Sequence, residues 1–343
     1  MRITAPGAIA ALGLALAASV TAGHASAGND PITLTFQSLA FQDSTIAATN
    51  AIVDGWNEAN PDAQVEVLQG SWDNASDQLT TQFAGGTAPD IIHFESAAIG
   101  GFAEQGYLAD LTPHLTEDVK DSISPEIWST VTASDGSIVA APTLMQSYVV
   151  FANADAFDAA GVEIPSGDTM TWDDFAALAK SLTADGTFGL GWGLKSPTAT
   201  VMNLALGFDG TFFTNDGGTT TIEVGDAELE VPRRIHDMAY VDNSIDPVTL
   251  TQSASDVLPG FFGGSYAMYV GGNYVAQQIT ESGPEGFNWV VLPPLEGSTS
   301  THQAANPQTL SVSAQSDHVE EAAAFVNYSW AARTWPWSRK ATG

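Results

Sequence analysis

Cysteine is absent from the 343 residues. That excludes disulfides, a thiolate nucleophile and a cysteine-ligated metal, and it leaves no cysteine on which a mature N-terminus could be lipidated. Bases are nearly as scarce: 9 Lys and Arg stand against 40 Asp and Glu, a formal net charge of −31 at pH 7. A field of that sign repels nucleic acid and anionic lipid, so no nucleic-acid partner is expected. Long apolar runs are missing too, with one exception. Ala8 to Val20 is interrupted only by Gly13 and Ser19, follows Arg2, and precedes the small-x-small triplet Ala25-Ser26-Ala27. Residues 1–27 therefore read as a cleaved signal peptide, with the mature chain starting near Gly28. The run is too short to span a bilayer comfortably. An exported chain without a lipid anchor is expected in the periplasm.

Motifs for catalysis and cofactors are also lacking. Gly189 to Ser196 superficially suggests a phosphate loop, but Leu194 stands where the glycine before Lys195 is required. Gly263-Gly264-Ser265-Tyr266-Ala267 has no closing glycine for a nucleophile elbow. Histidines 93, 114, 236, 302 and 318 show no metal-binding spacing. Asp173-Asp174 is explained by a helix N-terminus, where negative charge is favoured. The expectation is a protein that is not an enzyme and uses neither cofactor nor metal.

What is present is length for two domains, 44% apolar residues to build their cores, and alternating strand and helix signals. Ile32 to Phe36 has period two, residues 44–59 have a helical face containing Ile52, Val53 and Trp56, and Asn60-Pro61 ends it. Strands at Val65–Leu68 and Ile91–Phe94 bracket a helix from Ser76 to Phe83. This is an α/β pattern with a largely parallel sheet. Further on, Ile138–Ala141, Tyr148–Ala152, Ala267–Val270, Trp289–Leu292 and Leu310–Ser313 read as strands, and 207–221 as a loop or hairpin. Thr171 and Asp174 form a capping box ahead of Phe175, Leu178, Ala179 and Leu182, and Asp317 with Glu320 suggests another.

In α/β lobes ligands sit at the carboxyl ends of strands. The loops there carry Phe41-Gln42-Asp43, Trp72-Asp73-Asn74, Glu95-Ser96, Gln146-Ser147, Trp192, Asn273-Tyr274 and Asn306. Rings that stack on the apolar face of a sugar, beside amides and carboxylates that bond its hydroxyls, are the inventory a saccharide needs.

Four stretches resemble the extracellular solute-binding proteins of carbohydrate ABC importers, the maltose-binding-protein-like family 1, over roughly residues 31–328. They are Trp56-Asn57-Glu58-Ala59-Asn60-Pro61-Asp62 leading into Val65-Glu66-Val67; Gly85-Gly86-Thr87-Ala88-Pro89-Asp90-Ile91-Ile92 with Phe102 to Leu108; Asp135-Gly136-Ser137-Ile138 through Pro142, then Val149 to Asn153, Phe157 to Gly161 and Thr171-Trp172-Asp173-Asp174-Phe175; and Phe262 to Met268 with Gly271-Gly272-Asn273-Tyr274. The resemblance implies a two-lobed periplasmic-binding-protein fold (type II) with lobes joined by hinge strands. The N-terminal lobe would be 31–144 plus 312–330 and the C-terminal lobe 147–307. A sugar ligand would lie between them, and the partners would be the permease subunits of an ABC importer in the inner membrane, with the protein itself monomeric. The resemblance implies ligand contacts at Gln42, Asp43, Phe94, Glu95, Ser96, Gln146 and Tyr274, with Trp72 and Trp192 as further platforms; the strand-end loops add Asn273 and Asn306. Competing readings are a binding protein for a non-sugar solute such as a polyamine, or a secreted carbohydrate-active enzyme.

The end of the chain departs from the family pattern. Residues 331–343 hold Arg333, Arg339 and Lys340 without any acid, and Trp335-Pro336-Trp337 should interrupt the last helix. The expectation is a C-terminally truncated or frame-shifted chain after about Tyr328, with 331–343 an atypical tail.

Overall fold

The computed structural model describes residues 31–184, 186–216 and 219–338; the predicted signal peptide and residues 339–343 lie outside the described residues. The first part of the chain runs β1 (Ile32–Ser38), α1 (Asp43–Ala59), β2 (Ala63–Gln69), α2 (Ala75–Gly85), β3 (Ile91–Glu95), α3 (Ser96–Glu104), α4 (Glu117–Asp121), α5 (Pro125–Ser129) and β4 (Ala140–Leu144). The second part runs β5 (Tyr148–Asn153), α6 (Ala154–Ala160), β6 (Met170–Thr171), α7 (Trp172–Ser181), β7 (Phe188–Gly191), α8 (Thr198–Ala205), β8 (Phe213–Asp216), β9 (Thr219–Ile222) and α9 (Asp226–Tyr240). It continues through α10 (Ala254–Phe262), β10 (Tyr266–Gly272), α11 (Val275–Ser282), β11 (Trp289–Val291), β12 (Leu295–Glu296), β13 (Gln308–Val312) and α12 (Val319–Ser338).

Two main sheets result, in the orders β2-β1-β3-β13-β4 and β11-β5-β10-β7. Side chains alternate across each strand, so each sheet feeds two cores. In the first, Leu34, Phe36 and Leu310 pack with Trp56 and Phe325 under α1 and α12, while Ile92 and Phe94 face Leu79, Phe83 and Phe102 of α2 and α3. In the second, Val150, Ala152, Met268 and Val270 face Phe157, Trp172, Phe175 and Met238, and Phe151 and Tyr269 face Phe261 and Ile279. Strand β10 is buried along its whole length, as expected of a central strand covered on both faces.

The sheets are less parallel than the pattern predicted. β1, β2 and β3 are parallel, as are β7 and β10, but β13 runs antiparallel to both β3 and β4, and β5 antiparallel to β10 and β11. The reason is the crossing. β4 leads straight into β5 of the other sheet, and β13 returns beside β3 only after the second part is complete, so each crossing strand enters against its neighbour.

Most local signals are found where expected. The Thr171 hydroxyl accepts from the Asp174 amide at 3.1 Å and donates to the Asp174 carboxylate at 2.6 Å. The second box is not formed as expected: α12 begins at Val319, too late for Asp317 to cap it. The helix backbone also continues through Trp335-Pro336-Trp337 to Ser338.

Asp90, from the Pro89-Asp90 signal, ties three segments together. Its Oδ2 accepts from the Thr35 amide at 2.7 Å and the Thr35 hydroxyl at 2.8 Å, and its Oδ1 accepts from Ser316 Oγ at 2.5 Å. Burial pushes its pKa up, but the bonds from Ser316 and Thr35 and the nearby His318 outweigh that, and the net shift is downward from 3.8. A depressed folded pKa gives stability that is complete above the unfolded value and lost as pH falls through the folded one. Asp90→Asn is therefore expected to cost about 1–3 kcal/mol at pH 7, with the gap to wild type narrowing below about pH 4. Urea unfolding across that range checks it; a gap independent of pH would refute the assignment.

Candidate functional site

A cavity of about 570 Å³ lies where the carboxyl end of the first sheet meets the second. That size falls within the ~300–1,000 Å³ of small-molecule sites. The first sheet and its loops contribute Phe41, Gln69, Trp72, Asp73, Glu95 and Gln308; the second side contributes Tyr269, Tyr274 and Gln278, with Gln146 at the crossing. The walls are thus aromatic and amide, with two carboxylates.

Four expected site residues line this cavity: Trp72, Glu95, Gln146 and Tyr274. Trp72 is held by its indole N–H, which donates to the Leu39 carbonyl at 2.8 Å. Phe94 is buried behind it at 5.9 Å between ring centroids, so it supports the Trp72 ring from outside the lining. Ser96 and Asn306 also act from behind. Asn306 Oδ1 accepts from Ser96 Oγ and from the Ala97 amide, each at 3.1 Å, which turns its Nδ2 to donate to Glu95 Oε2 at 2.9 Å. The Glu95 carboxylate is thereby fixed at the cavity wall.

Gln42 bridges the two sides rather than lining the space: its Nε2 donates to the Tyr274 carbonyl at 2.9 Å. Beside it, Phe41 meets the Tyr274 ring edge-on at 5.8 Å, and Ser44 bonds Gln277, which in turn donates to Glu281 at 2.9 Å. The start of α1 and the start of α11 therefore close over one rim of the cavity. Asp43 is exposed at the first position of α1, outside the lining. Asn273 is exposed and donates to the Met145 carbonyl at 3.3 Å.

Trp192 requires a correction. It is 1% exposed in the second core, stacked on Trp172 with centroids 6.3 Å apart and planes at 24°. It was expected as a sugar platform because it follows a strand end. Its strand, however, turns the ring inward beneath α7, where no face is left for a ligand.

Sequence reasoning missed Tyr269, Gln69 and Gln308 as lining residues. Tyr269 lies inside the apolar run of β10 and looks like core; its hydroxyl donates to the Ala254 carbonyl at 3.0 Å. Gln69 ends β2, where the rule of carboxyl strand ends could have found it; Gln308 opens β13 and reaches the same edge only because β13 runs antiparallel to β3.

Glycine makes the aromatic wall possible. A β-carbon on Gly272 would run into the Tyr274 ring, and one on Gly271 into the Tyr269 ring. Burial and the neighbouring Tyr148 push the Tyr274 pKa up to about 12, and burial raises Tyr269 and Tyr148 as well. The phenols stay protonated at neutral pH; Tyr269 commits its proton to the Ala254 carbonyl, so Tyr274 is the lining phenol that can donate to a ligand oxygen.

This arrangement of two covered sheets, two crossings and a cleft between them is that of a two-lobed binding protein. The family model "Bacterial extracellular solute-binding protein" matches residues 42–329, and the chain belongs to that family. It is 43% identical over 303 residues to a Streptomyces antibioticus protein named "Uncharacterized lipoprotein in oleD 5'region", covering 87% of this chain and 66% of that one. It is 26% identical over 194 residues to the arabinooligosaccharide-binding protein of Halalkalibacterium halodurans, covering 55% of this chain and 42% of that one. The chain thus spans less than two thirds of the length of these relatives. Among solved structures, the GacH receptor of Streptomyces glaucescens, crystallised unliganded and with acarbose, superposes with a TM-score of 0.73 at 24% identity, covering 90% of this chain and 80% of that one. The fold is therefore the α/β periplasmic-binding-protein fold of type II.

Proposed function

We propose that this protein is the extracytoplasmic sugar-capturing component of an ABC importer. The observation that carries this reading is the cavity itself, in which the half-buried rings of Trp72 and Tyr274 stand among Gln69, Gln146, Gln278, Gln308 and Glu95, with the buried Tyr269 behind them. Rings match the C–H face of a pyranose, and amides and a carboxylate match its hydroxyls. The relative named for arabinooligosaccharide binding supports the same ligand class.

The lobes we assign are residues 31–144 plus 312–330 and residues 147–307. Capture works by differential binding. A ligand held by Trp72 and Glu95 on one side and Tyr274 on the other makes both sets of contacts only when the lobes approach, so it shifts the population towards the closed state. The permease subunits in the inner membrane then read closure, and the protein works as a monomer without a covalent step. Export follows from residues 1–27, with cleavage before Gly28. Because the Streptomyces antibioticus relative is named a lipoprotein, attachment is part of what must be tested.

Thermal-shift titration of the exported, processed protein against mono- and oligosaccharides tests the reading. A sugar at a hundredfold excess over its Kd should add about 2.7 kcal/mol of stability, the same sugar should be recovered uncleaved, and the N-terminus should read Gly28. If no sugar raises the melting temperature while an amine or amino acid does, the sugar assignment is wrong.

A further inference from the structure

We propose that the cleft selects by charge: it admits neutral and amine-bearing saccharides and rejects those carrying a carboxylate or phosphate, with Glu95 as the specificity-determining residue. This rests on the reading of the cleft as a sugar site and narrows the class of sugar.

The argument begins with what surrounds the cavity. Its lining contains two carboxylates, Asp73 and Glu95, and no Lys, Arg or His. A bound anion would therefore need a cation from nearby, and four of the five bases between residues 31 and 330 pair with acids elsewhere. Lys120 pairs with Glu117, Lys180 with Asp242, Arg233 with Asp226, and Arg234 with Asp173 and Glu230. Lys195, the fifth, is exposed and is not among the residues that line the cavity. The imidazole behind Trp72 is no cation donor either. His93 Nδ1 accepts from the Leu39 amide at 3.1 Å, which places the ring proton on Nε2, 2.8 Å from Gln308 Oε1.

Glu95 is the counterpart of that absence. It is partly buried, fixed by the Asn306 amide at 2.9 Å, and has no ion-pair partner among the described residues. A partly desolvated carboxylate held by one neutral donor retains acceptor capacity. A ligand hydroxyl satisfies it, and a ligand ammonium satisfies it and neutralises its charge. A ligand carboxylate in the same place would face a like charge with no donor between them, an arrangement that rejects a partner as effectively as a steric clash. The net charge of −31 extends the same repulsion to the approach.

Matched sugars test the proposal: glucose, glucuronate and glucosamine, galactose, galacturonate and galactosamine, with malto-oligosaccharides, xylo-oligosaccharides and oligogalacturonates, each screened by thermal shift and titrated calorimetrically. Neutral and amine members are expected to bind, and each uronate to bind at least about tenfold more weakly than its neutral counterpart. Glu95→Gln should reduce that ratio, and so should added salt in the wild type. A uronate that binds wild type as tightly as its neutral counterpart overturns charge selection while leaving the sugar reading in place. A panel in which no member binds overturns both. If Glu95→Gln does not fold, the wild-type ratio and its salt dependence decide the matter alone.

Discussion

Replacing Trp192 with alanine is expected to lower the free energy of unfolding by about 3–5 kcal/mol, while the affinity for sugar changes by less than about threefold (well under 1 kcal/mol). The ring is 1% exposed and sits among Trp172, Phe175, Leu204 and Phe208 in the second core. Its backbone N–H donates to Thr249 Oγ1 at 3.2 Å, a bond the substitution leaves in place. The loss is therefore one of packing: an indole-sized hole beneath α7, which neighbours wedged against the sheet refill only in part. Chemical denaturation of Trp192→Ala, with sugar titration under conditions where the variant remains folded, separates the alternatives. A large loss of affinity with little loss of stability would return Trp192 to the ligand site.

Tyr274→Ala should do the reverse. Affinity is expected to fall by about ten- to a hundredfold, about 1.4–3 kcal/mol. Two contributions combine. The ring lines the cavity, so its stacking surface is lost, and it also meets Phe41 across the rim, so the closed arrangement is weakened as well. The Gln42 bond persists because it uses the Tyr274 carbonyl. Tyr274→Phe isolates the hydroxyl: retaining the ring should retain most of the affinity. Equal affinities for wild type and Tyr274→Ala would remove this ring from the site.

These two residues show how far a sequence can be read. Both are aromatic and both follow a strand, so chain position alone does not distinguish them. Trp192 follows β7, which lies at one end of the second sheet beside β10, and its ring turns into the core under α7. Tyr274 follows β10, where Gly271 and Gly272 clear room for rings at the cleft. The strand order β11-β5-β10-β7 comes from pairings between residues far apart in the chain, and no local pattern encodes it. Asn306 and Glu95 make the same point. Each was a candidate for its polar side chain, yet their partnership depends on β13 returning beside β3 with Gln308 opposite Glu95.

The sequence by itself determined the acidic field, the absence of thiol chemistry, the predicted export signal, the α/β class, and such local devices as the Thr171 cap and the Pro89-Asp90 strand entry. These follow from composition, from spacing within a turn or two, or from a resemblance over roughly residues 31–328. Only the tertiary structure decided which strand-end side chains share one cavity, which stand behind it and which are buried. Those outcomes depend on strand order and on two crossings between sheets, and a side chain's role there is set by neighbours more than two hundred residues away.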